Sequence, residues 1–289
     1  MHDYFLSLLL GIIEGLTEFL PVSSTAHLRI FEALGGIPLS SGFWKMYSIV
    51  IQLGAILCLP IYFRSRIARF LSTFPRGEQK DRTWATHPLT LVMIAFFFTA
   101  IPAFLLTKVI GKHLESLVVM GWSLLIGGIV MWVVDALFGT SHPDSRHQTE
   151  RMEEMTMMQA IWTGICQIAS AVFPGTSRSM STISAGQLAG MSRPAALEFS
   201  FFLSMPTMGA AVAYELFRTF HPKHGAPLGT MPANGHEWVV LIIGFVVSFI
   251  VALAVVAWFM NWVRQRGFVP FAIYRIVLGI AVLVWVLRG

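Results

Sequence analysis

Six long apolar segments divide the 289-residue chain, at roughly 43–63, 88–110, 116–138, 195–218, 237–262 and 268–287. Each is close to the length of about 20 residues that a helix needs to cross a lipid bilayer. Only 12% of the residues are charged, whereas soluble domains carry about 25%. The sequence therefore predicts an all-α integral membrane protein, with six transmembrane helices in a single membrane domain over 1–289.

Two further apolar segments, 5–35 and 158–190, are interrupted by proline, hydroxyl and charged side chains. Irregular, polar backbone at membrane depth persists only where it is buried in protein or lines a wet cavity. Both segments are therefore predicted to be re-entrant helical hairpins that enter the membrane from opposite faces.

The two interrupted segments also match each other at a constant offset of 153. This offset aligns Gly11–Glu14 with Gly164–Gln167, Leu20-Pro21 with Phe173-Pro174, and Ser24 with Ser177. We interpret the match as an inverted repeat, with a first half at 1–138, a second half at 157–289 and a cytoplasmic linker at 139–156. Inverted repeats build binding sites where their broken helices meet.

The segment 64–87 holds six Lys and Arg residues, and tracing the spans places 139–156, Arg193 and the turn with Arg264 and Arg266 on the same side, which gives 11 basic residues there against 5 on the opposite side. Because positively charged loops stay on the cytoplasmic side, both segments are predicted to be cytoplasmic and both chain ends to lie outside. The same rule accounts for the net charge of +5 without a nucleic-acid partner. Cys58 and Cys166 lie in apolar segments and are expected to be free, buried thiols.

Glu14 and Glu18 are four residues apart, which places both carboxylates on one face of a helix. Carboxylates within the membrane are costly and mark functional sites. Two of them can hold a divalent cation such as Mg²⁺ or Ca²⁺, or they can share proton transfers. The alternative is a structural ion pair with a buried arginine such as Arg275.

The segment 21–27 follows directly, and its proline is expected to end the helix. The hydroxyls of Ser23, Ser24 and Thr25 can hydrogen-bond freed backbone groups. His27 can act as a general acid or base beside the two carboxylates, or it can be an interfacial residue.

The second polar cluster is Pro174-Gly-Thr-Ser-Arg-Ser179. A turn rich in glycine and hydroxyls presents backbone N–H groups, and Arg178 adds a bidentate cation, so the cluster is suited to binding phosphate. Alternatively, Arg178 only neutralises Glu14 or Glu18. Weaker candidates are Gln52 and Glu198, expected to form hydrogen bonds within the bundle, and three histidines expected to be solvated, His221, His224 and His236.

The segment Glu14-Gly-Leu-Thr-Glu-Phe-Leu-Pro-Val-Ser-Ser-Thr-Ala-His27 resembles the first signature motif of the undecaprenyl-diphosphate phosphatases associated with bacitracin resistance. Pro174–Ser179 resembles their second motif. Supporting matches are Ile51-Gln-Leu-Gly54, Glu198-Phe-Ser200 and Pro270-Phe-Ala-Ile-Tyr-Arg275. The resemblance covers nearly the whole chain, but alanine at 26 and methionine at 180 stand where this family usually has glycine.

The resemblance implies hydrolysis of undecaprenyl diphosphate to undecaprenyl phosphate and phosphate, with a divalent cation held by Glu14 and Glu18. It also implies a multi-pass protein of the bacterial inner membrane whose active site faces outward. Catalytic roles carry over onto Glu14, Glu18, Ser24, His27, Ser177 and Arg178. The predicted substrate-binding residues are Ser23, Thr25, Gly175, Thr176, Ser179 and Thr182.

Three alternatives compete with this interpretation. Inverted repeats with broken helices are common in transporters, so the chain could instead carry a prenyl phosphate lipid across the membrane intact. A second large family of membrane lipid phosphatases needs a histidine soon after its arginine motif, and no histidine follows Arg178 before His221. A purely structural protein would have no reason to bury these charges. Expected partners are the lipid diphosphate and membrane lipids, with a homodimer as an open alternative.

Overall fold

The computed structural model describes residues 2–37, 42–77, 82–106, 115–139, 149–221 and 229–288. These residues form eleven α-helices, one short 3-10 helix at Met152–Glu154 and no strand beyond an isolated bridge between Thr149 and Met191. The α-helices, in chain order, are α1 His2–Thr17, α2 Ser24–Gly35, α3 Gly42–Tyr62, α4 Arg64–Thr73, α5 Pro88–Leu105, α6 Leu117–Phe138, α7 Met157–Val172, α8 Arg178–Leu188, α9 Arg193–Phe220, α10 Gly235–Arg266 and α11 Val269–Arg288.

Six of the helices in the described part of the chain are long and apolar enough to cross a membrane: α3, α5, α6, α9, α10 and α11. They coincide with the six predicted spans, and the prediction of an all-α, multi-pass membrane protein is confirmed. Predicted span 88–110 extends beyond α5, and its residues 107–110 lie outside the described residues.

Two details of the predicted loops differ from the structure. Part of the predicted loop 64–87 is the helix α4, which buries Phe70 while most of its other side chains stay exposed or half-buried. The residues Arg264 and Arg266, assigned to a turn, belong to the last turn of α10. That helix ends where Gly267 takes a φ of 68°. In the predicted linker, 140–148 lie outside the described residues.

The two interrupted segments each fold as a pair of short helices joined by a turn. Proline cannot donate a backbone hydrogen bond, and Pro21 and Pro174 both lie in these turns. Ser23 caps α2 and Ser177 caps α8, at φ values of 72° and 70°. They are the only non-glycine residues of the described chain with positive φ. In backbone conformation and cap position Ser177 therefore resembles Ser23, whereas the predicted alignment pairs it with Ser24.

Small residues let the short helices approach the spanning helices closely. A methyl group at Gly15 of α1 would lie 2.7 Å from Val251 Cβ and 2.8 Å from the Ser248 carbonyl oxygen of α10. Gly164 of α7 meets α5 in the same way, because a methyl group there would overlap the Ala95 carbonyl. Thr99 Oγ1 also donates to the Gly164 carbonyl at 2.7 Å. Such close contact supplies the dispersion attraction that holds helices together in lipid.

Hydrogen bonds fasten the beginning of α1 to the beginnings of α3 and α10. Ser7 Oγ donates to the Val240 carbonyl at 2.6 Å, and the Tyr47 hydroxyl donates to the Ser7 carbonyl at 2.7 Å. His236 is exposed, as predicted, but it lies on the first turn of α10 and not in a loop, and it pairs with Asp3 at 2.9 Å. These three helices therefore begin at the same end of the bundle.

A buried carboxylate joins four segments at the opposite end. Asp135 of α6 is fully buried, and its oxygens accept from Arg193 Nε at 2.7 Å, Gln187 Nε2 at 3.1 Å and the Phe268 backbone N–H at 2.9 Å. The contacts tie α6 to α8, α9 and the turn before α11. Both cysteines are free thiols; Cys58 is buried, as predicted, whereas Cys166 is only half-buried.

Candidate functional site

The turn of α1–α2 meets the turn of α7–α8 inside the bundle. Ser179 Oγ donates to the Leu20 carbonyl at 3.0 Å. Arg275 of α11 is fully buried and donates to the Pro21 and Gly175 carbonyls, both at 3.1 Å. Segments more than 150 residues apart in sequence therefore form one site, which we call the turn site (18–27, 174–182 and Glu14).

Arg275 has the structural role that the sequence suggested, but not as a partner of the glutamates. Its third contact goes to the Ser123 carbonyl at 3.0 Å, so its guanidinium binds three carbonyls on three segments. Glu14 makes no hydrogen bond with it. The alternative of an ion pair between Arg275 and Glu14 or Glu18 is therefore wrong.

Glu14 is buried to 1% exposure, and neither of its carboxylate oxygens has a hydrogen-bond partner. It lies one helical turn before Glu18, whose backbone N–H donates to the Glu14 carbonyl at 2.9 Å. An ionised carboxylate buried without a partner costs several kcal/mol. The site therefore calls for a proton or a cation at Glu14.

Glu18 connects the two turns through its two oxygens. Ser24 Oγ donates to Oε2 at 2.6 Å, and Arg178 Nη2 approaches Oε1 at 3.4 Å. The predicted neutralisation of a glutamate by Arg178 is confirmed for Glu18. The Nε of Arg178 is buried and has no acceptor, so the guanidinium keeps one donor for a further group.

His27 lies at the edge of the turn site, half-buried on α2. Its Nδ1 is 2.7 Å from the Ser23 carbonyl, which can only accept, so Nδ1 carries a proton. In the neutral ring Nε2 then accepts from the Tyr274 hydroxyl at 2.6 Å, and the two rings stack at 5.7 Å. No hydrogen bond joins His27 to Ser24 in the described structure, because Ser24 binds Glu18 instead.

Thr182 and Ser200 hold Arg178 in position through hydrogen bonds. Thr182 is fully buried, and its hydroxyl lies 2.7 Å from Ser200 Oγ and 3.0 Å from the Arg178 carbonyl. The Ser200 carbonyl accepts from Arg178 Nη1 at 3.3 Å. Arg178 is thus held by α8 and α9 and directed toward Glu18.

The remaining predicted site residues are three serines that stabilise the turns, two threonines and Gly175. Ser23 and Ser177 accept from backbone N–H groups three residues on, and Ser179 binds the opposite turn, so these hydroxyls stabilise the fold of the site. Thr25 is exposed and Thr176 half-buried. Gly175 has a φ of 91° and lies so close to α6 that a methyl group would be 2.8 Å from the Met120 carbonyl oxygen. A side chain at 175 would therefore separate the second turn from α6.

Met180 is accommodated by a glycine on α6. The side chain of Met180 is 5% exposed and packs against Gly127. A methyl group added at Gly127 would lie 2.6 Å from Met180 Cε, so only glycine leaves room for the methionine. Ala26 is fully buried. The methionine packs into the hydrophobic core.

Tyr274 and Ser200 were not assigned to the site from the sequence. Both lie in segments whose likeness to the phosphatases was noted, Pro270–Arg275 and Glu198–Ser200, and that likeness was the available signal. Glu198 itself lies outside the site and pairs with Arg66 at 2.6 Å. His221 is exposed, and His224 lies outside the described residues.

The donor set of the turn site suits a hard cation. Two buried carboxylates, one of them without any partner, provide the oxygen ligands that Mg²⁺ and Ca²⁺ prefer. Within the described residues no group of three or more His, Cys, Asp or Glu side chains is placed to hold a metal. A cation at this site would therefore take its other ligands from hydroxyls, water or substrate oxygens, as Mg²⁺ usually does.

Comparison with known proteins places the chain among membrane proteins of one family. The family model described as bacitracin resistance protein BacA matches residues 7–281. A protein of Koribacter versatilis named undecaprenyl-diphosphatase is 65% identical over 290 residues, which cover 100% of both chains. Proteins of the same name from Caldanaerobacter subterraneus and Rhizobium etli are 39% and 40% identical, over 95% and 97% of this chain and 93% and 96% of their own lengths. The chain therefore belongs to the BacA bacitracin resistance family.

Proposed function

We propose that this protein hydrolyses undecaprenyl diphosphate to undecaprenyl phosphate and inorganic phosphate, and so recycles the lipid carrier of cell-wall synthesis. The observation that carries the proposal is the pairing of unsatisfied groups of opposite sign in one buried site. Glu14 offers two acceptors without donors, and Arg178 Nε is a donor without an acceptor. A substrate that brings anionic oxygens and an accompanying cation satisfies both.

Arg178 and the backbone N–H groups at the start of α8 bind the terminal phosphate. The helix N-terminus carries a partial positive charge and the guanidinium adds a full one. Phosphoryl transfer spreads charge over the transferring oxygens, so these fixed donors stabilise the transition state. The 3.4 Å contact of Arg178 with Glu18 is long for a charge-assisted hydrogen bond and can yield to phosphate.

Glu14 and Glu18 are the residues that would hold a divalent cation such as Mg²⁺ or Ca²⁺. When bound, the cation would neutralise charge on the diphosphate oxygens. The unpartnered oxygens of Glu14 support this assignment.

The phosphoanhydride bond breaks between the terminal phosphorus and the bridging oxygen, which leaves on undecaprenyl phosphate. In one route Ser24 Oγ attacks phosphorus and its proton passes to Glu18 Oε2, 2.6 Å away; water then hydrolyses the phosphoserine. In the other, water attacks directly, and Ser24 is a phosphate ligand. His27, whose Nε2 accepts from the Tyr274 hydroxyl in the neutral ring, moves a proton at the edge of the site.

A rapid-quench experiment separates the two routes. Substrate labelled in the terminal phosphate is turned over once, and the protein is assayed for acid-stable label. Label on wild-type protein that is absent from Ser24→Ala supports the serine route. Product formed with no labelled protein at any time supports direct attack by water.

The two helical pairs are, in our proposal, re-entrant hairpins of an inverted repeat. Five helix pairs support this, because they map onto one another when α1, α3, α5 and α6 are exchanged for α7, α9, α10 and α11. Thus α1 packs on α10 as α7 packs on α5, α3 packs on α10 as α9 packs on α5, and α6 packs on α11. The distribution of Lys and Arg supports a bacterial inner-membrane orientation with the turn site open to the outside.

The same repeat pattern favours one rival function, transport of a prenyl phosphate lipid across the membrane. The two functions differ in product. In sealed vesicles a carrier delivers intact lipid to the other leaflet, whereas a phosphatase releases phosphate and remains active in detergent.

The decisive measurement is phosphate release from undecaprenyl diphosphate by the purified full chain in detergent, with and without EDTA. We expect metal-dependent release that falls by about 100-fold or more in Glu18→Gln and in Arg178→Ala, since each removes a group that contacts the transferring phosphate or its cation. Matched controls are Glu215→Gln and Arg218→Ala on α9, which lie outside the turn site. Absence of release by folded wild-type protein, across several metals and prenyl lengths, would rule out the phosphatase and favour the carrier.

A further inference from the structure

The ring of Phe19 lies beside the guanidinium of Arg178 in the turn site. The Cζ atom of Arg178 is over the face of this ring, 5.9 Å from its centroid. This distance is within the roughly 6 Å over which the face of an aromatic ring attracts a cation. Phe19 directly follows Glu18 in sequence, and its side chain is fully buried. The ring and the carboxylate that Arg178 approaches therefore come from the same turn.

The hydrogen bonds of Arg178 hold its guanidinium only loosely. Nη1 donates to the Ser200 carbonyl at 3.3 Å, and Nη2 approaches Glu18 Oε1 at 3.4 Å. Both distances exceed the 2.7–2.9 Å or so of a well-formed charge-assisted hydrogen bond. The Nε atom is buried and has no acceptor. Because a buried charge is costly unless its surroundings replace water, the attraction of the Phe19 ring adds to what these two contacts provide.

An aromatic face stabilises a guanidinium in a different way from a carboxylate or a carbonyl. A carboxylate oxygen accepts from a particular N–H group, whereas the π electrons attract the cation as a whole and leave its N–H groups available. A guanidinium above a ring can therefore turn in its own plane and keep this attraction. In the turn site, such a turn would take Arg178 from Glu18 to a bound phosphate.

Helix α9 fixes the ring and the guanidinium relative to each other. The rings of Phe19 and Phe201 are perpendicular, at 83°, with their centroids 5.5 Å apart. Phe201 directly follows Ser200, whose carbonyl accepts from Arg178. The ring of Phe63 lies on Phe201 in turn, at 6.3 Å. Two successive residues of α9 thus contact both members of the pair.

We propose that Phe19 is a positioning residue for hydrolysis, and that the face of its ring holds the charge of Arg178 while the N–H groups of Arg178 bind the terminal phosphate. This inference rests on the function proposed above and deepens it. Phe19 also belongs to the hydrophobic core, but a residue that only fills the core could be replaced by any apolar side chain of the same size. The proposal instead requires the reaction to depend on the electron density of the ring.

The test varies that electron density at nearly constant size. In the purified full chain, Phe19 is replaced by 4-fluoro-, 3,5-difluoro- and 3,4,5-trifluorophenylalanine, since each fluorine withdraws electron density from the ring face. We expect kcat/KM for phosphate release from undecaprenyl diphosphate to fall stepwise, by about tenfold in the trifluoro protein. The unfolding temperature in detergent should match that of the wild type along the series.

The matched control is trifluorophenylalanine at position 268. Phe268 is also fully buried in the core, but its ring packs nearly perpendicular to that of Phe259, at 6.0 Å. This replacement should leave phosphate release unchanged. The Phe19 series is then repeated in Phe201→Leu, which removes the perpendicular ring and leaves Arg178 over Phe19. The dependence on fluorine should persist there.

Three results would overturn the proposal: phosphate release that stays constant along the Phe19 series, an equal loss in the Phe268 control, or a dependence on fluorine that disappears in Phe201→Leu. Binding of labelled orthophosphate, the proposed product, is measured on the same proteins, and its affinity should fall along the Phe19 series as well. A wild-type chain that binds orthophosphate but releases none would contradict hydrolysis. The series of affinities would then still test the contact between Phe19 and Arg178.

Discussion

Glu18 carries two contacts of different strength. Its bond from Ser24 is 2.6 Å long, whereas Arg178 approaches at 3.4 Å, beyond the 2.7–2.9 Å or so of a well-formed N⁺–H···O⁻ contact. The serine is therefore firmly held, and the arginine is held loosely. Neutralising Glu18 and binding phosphate are then compatible roles for Arg178, since the guanidinium can turn from one anion to the other.

The hydroxyl of Tyr274 is predicted to raise the rate of phosphate release because it orients the imidazole of His27. Tyr274→Phe keeps the stacked ring but removes the 2.6 Å hydrogen bond to His27 Nε2. We expect kcat to fall about tenfold with little change in KM, because one hydrogen bond that orients the imidazole is lost. The measurement is steady-state phosphate release. Tyr214→Phe is the matched control, since Tyr214 and Tyr274 are 44% and 45% exposed; equal activity of both variants would show that Tyr274 does not orient His27.

Charged side chains made the turn site predictable, whereas uncharged ones were missed. Glu14, Glu18 and Arg178 stand out because charges in apolar segments are expensive. Tyr274 and Ser200 are ordinary in a membrane helix, so apart from the likeness of their segments to the phosphatases, it is their contacts that reveal a role. The constant offset of 153 did not align the two helix-capping serines, because Ser177 lies ten positions after Gln167, but Ser23 lies nine positions after Glu14. A constant offset cannot detect one additional residue in a turn.

Among the elements, apolar length predicted the six spans well, and local chemistry explains the exceptions. Helix α4 was missed because Arg64, Arg66 and Arg69 make its sequence polar, while only Phe70 is buried. The short helices were found through their prolines, but their packing partners could not be predicted. Sequence does not indicate that Gly15 faces α10 and Gly164 faces α5.

The packing of α1 provides a test at the scale of one element. In Gly15→Ala the added methyl group would lie within 3.0 Å of the backbone of α10, so α1 must move and carry Glu14 and Glu18 with it. We expect both a lower unfolding temperature in detergent and a several-fold loss of phosphate release. Gly209→Ala is the matched control, because nothing lies within 4 Å of a methyl group there and alanine favours a helix by about 1 kcal/mol. An unfolding temperature for Gly15→Ala as high as that of Gly209→Ala would contradict the close packing.

Over the whole molecule, polar contacts fix the two ends of the bundle while the turn site lies between them. One end is held by Ser7, Tyr47 and Val240, where α1, α3 and α10 begin. The other is held by Asp135 and Arg193. The middle contains the unpaired Glu14 oxygens and Arg178 Nε. The hydrogen bonds at the two ends thus hold the helices around a site where Glu14 and Arg178 Nε are left for a ligand.

Asp135 should therefore contribute to stability far more than to chemistry. Asp135→Asn keeps the shape of the side chain but removes the charge that faces Arg193. The carboxylate accepts from Arg193, Gln187 and Phe268, whereas the amide N–H₂ of asparagine is itself a donor and would face these donors. Removing one partner of a buried ion pair costs about 3–5 kcal/mol. Glu215→Gln is the control, because its pair with Lys45 is partly exposed and such pairs contribute about 1 kcal/mol or less. We expect Asp135→Asn to unfold at a clearly lower temperature than Glu215→Gln, while both release phosphate at near wild-type rates well below that temperature. If the two variants unfolded together, the buried carboxylate would not be what joins this end of the bundle.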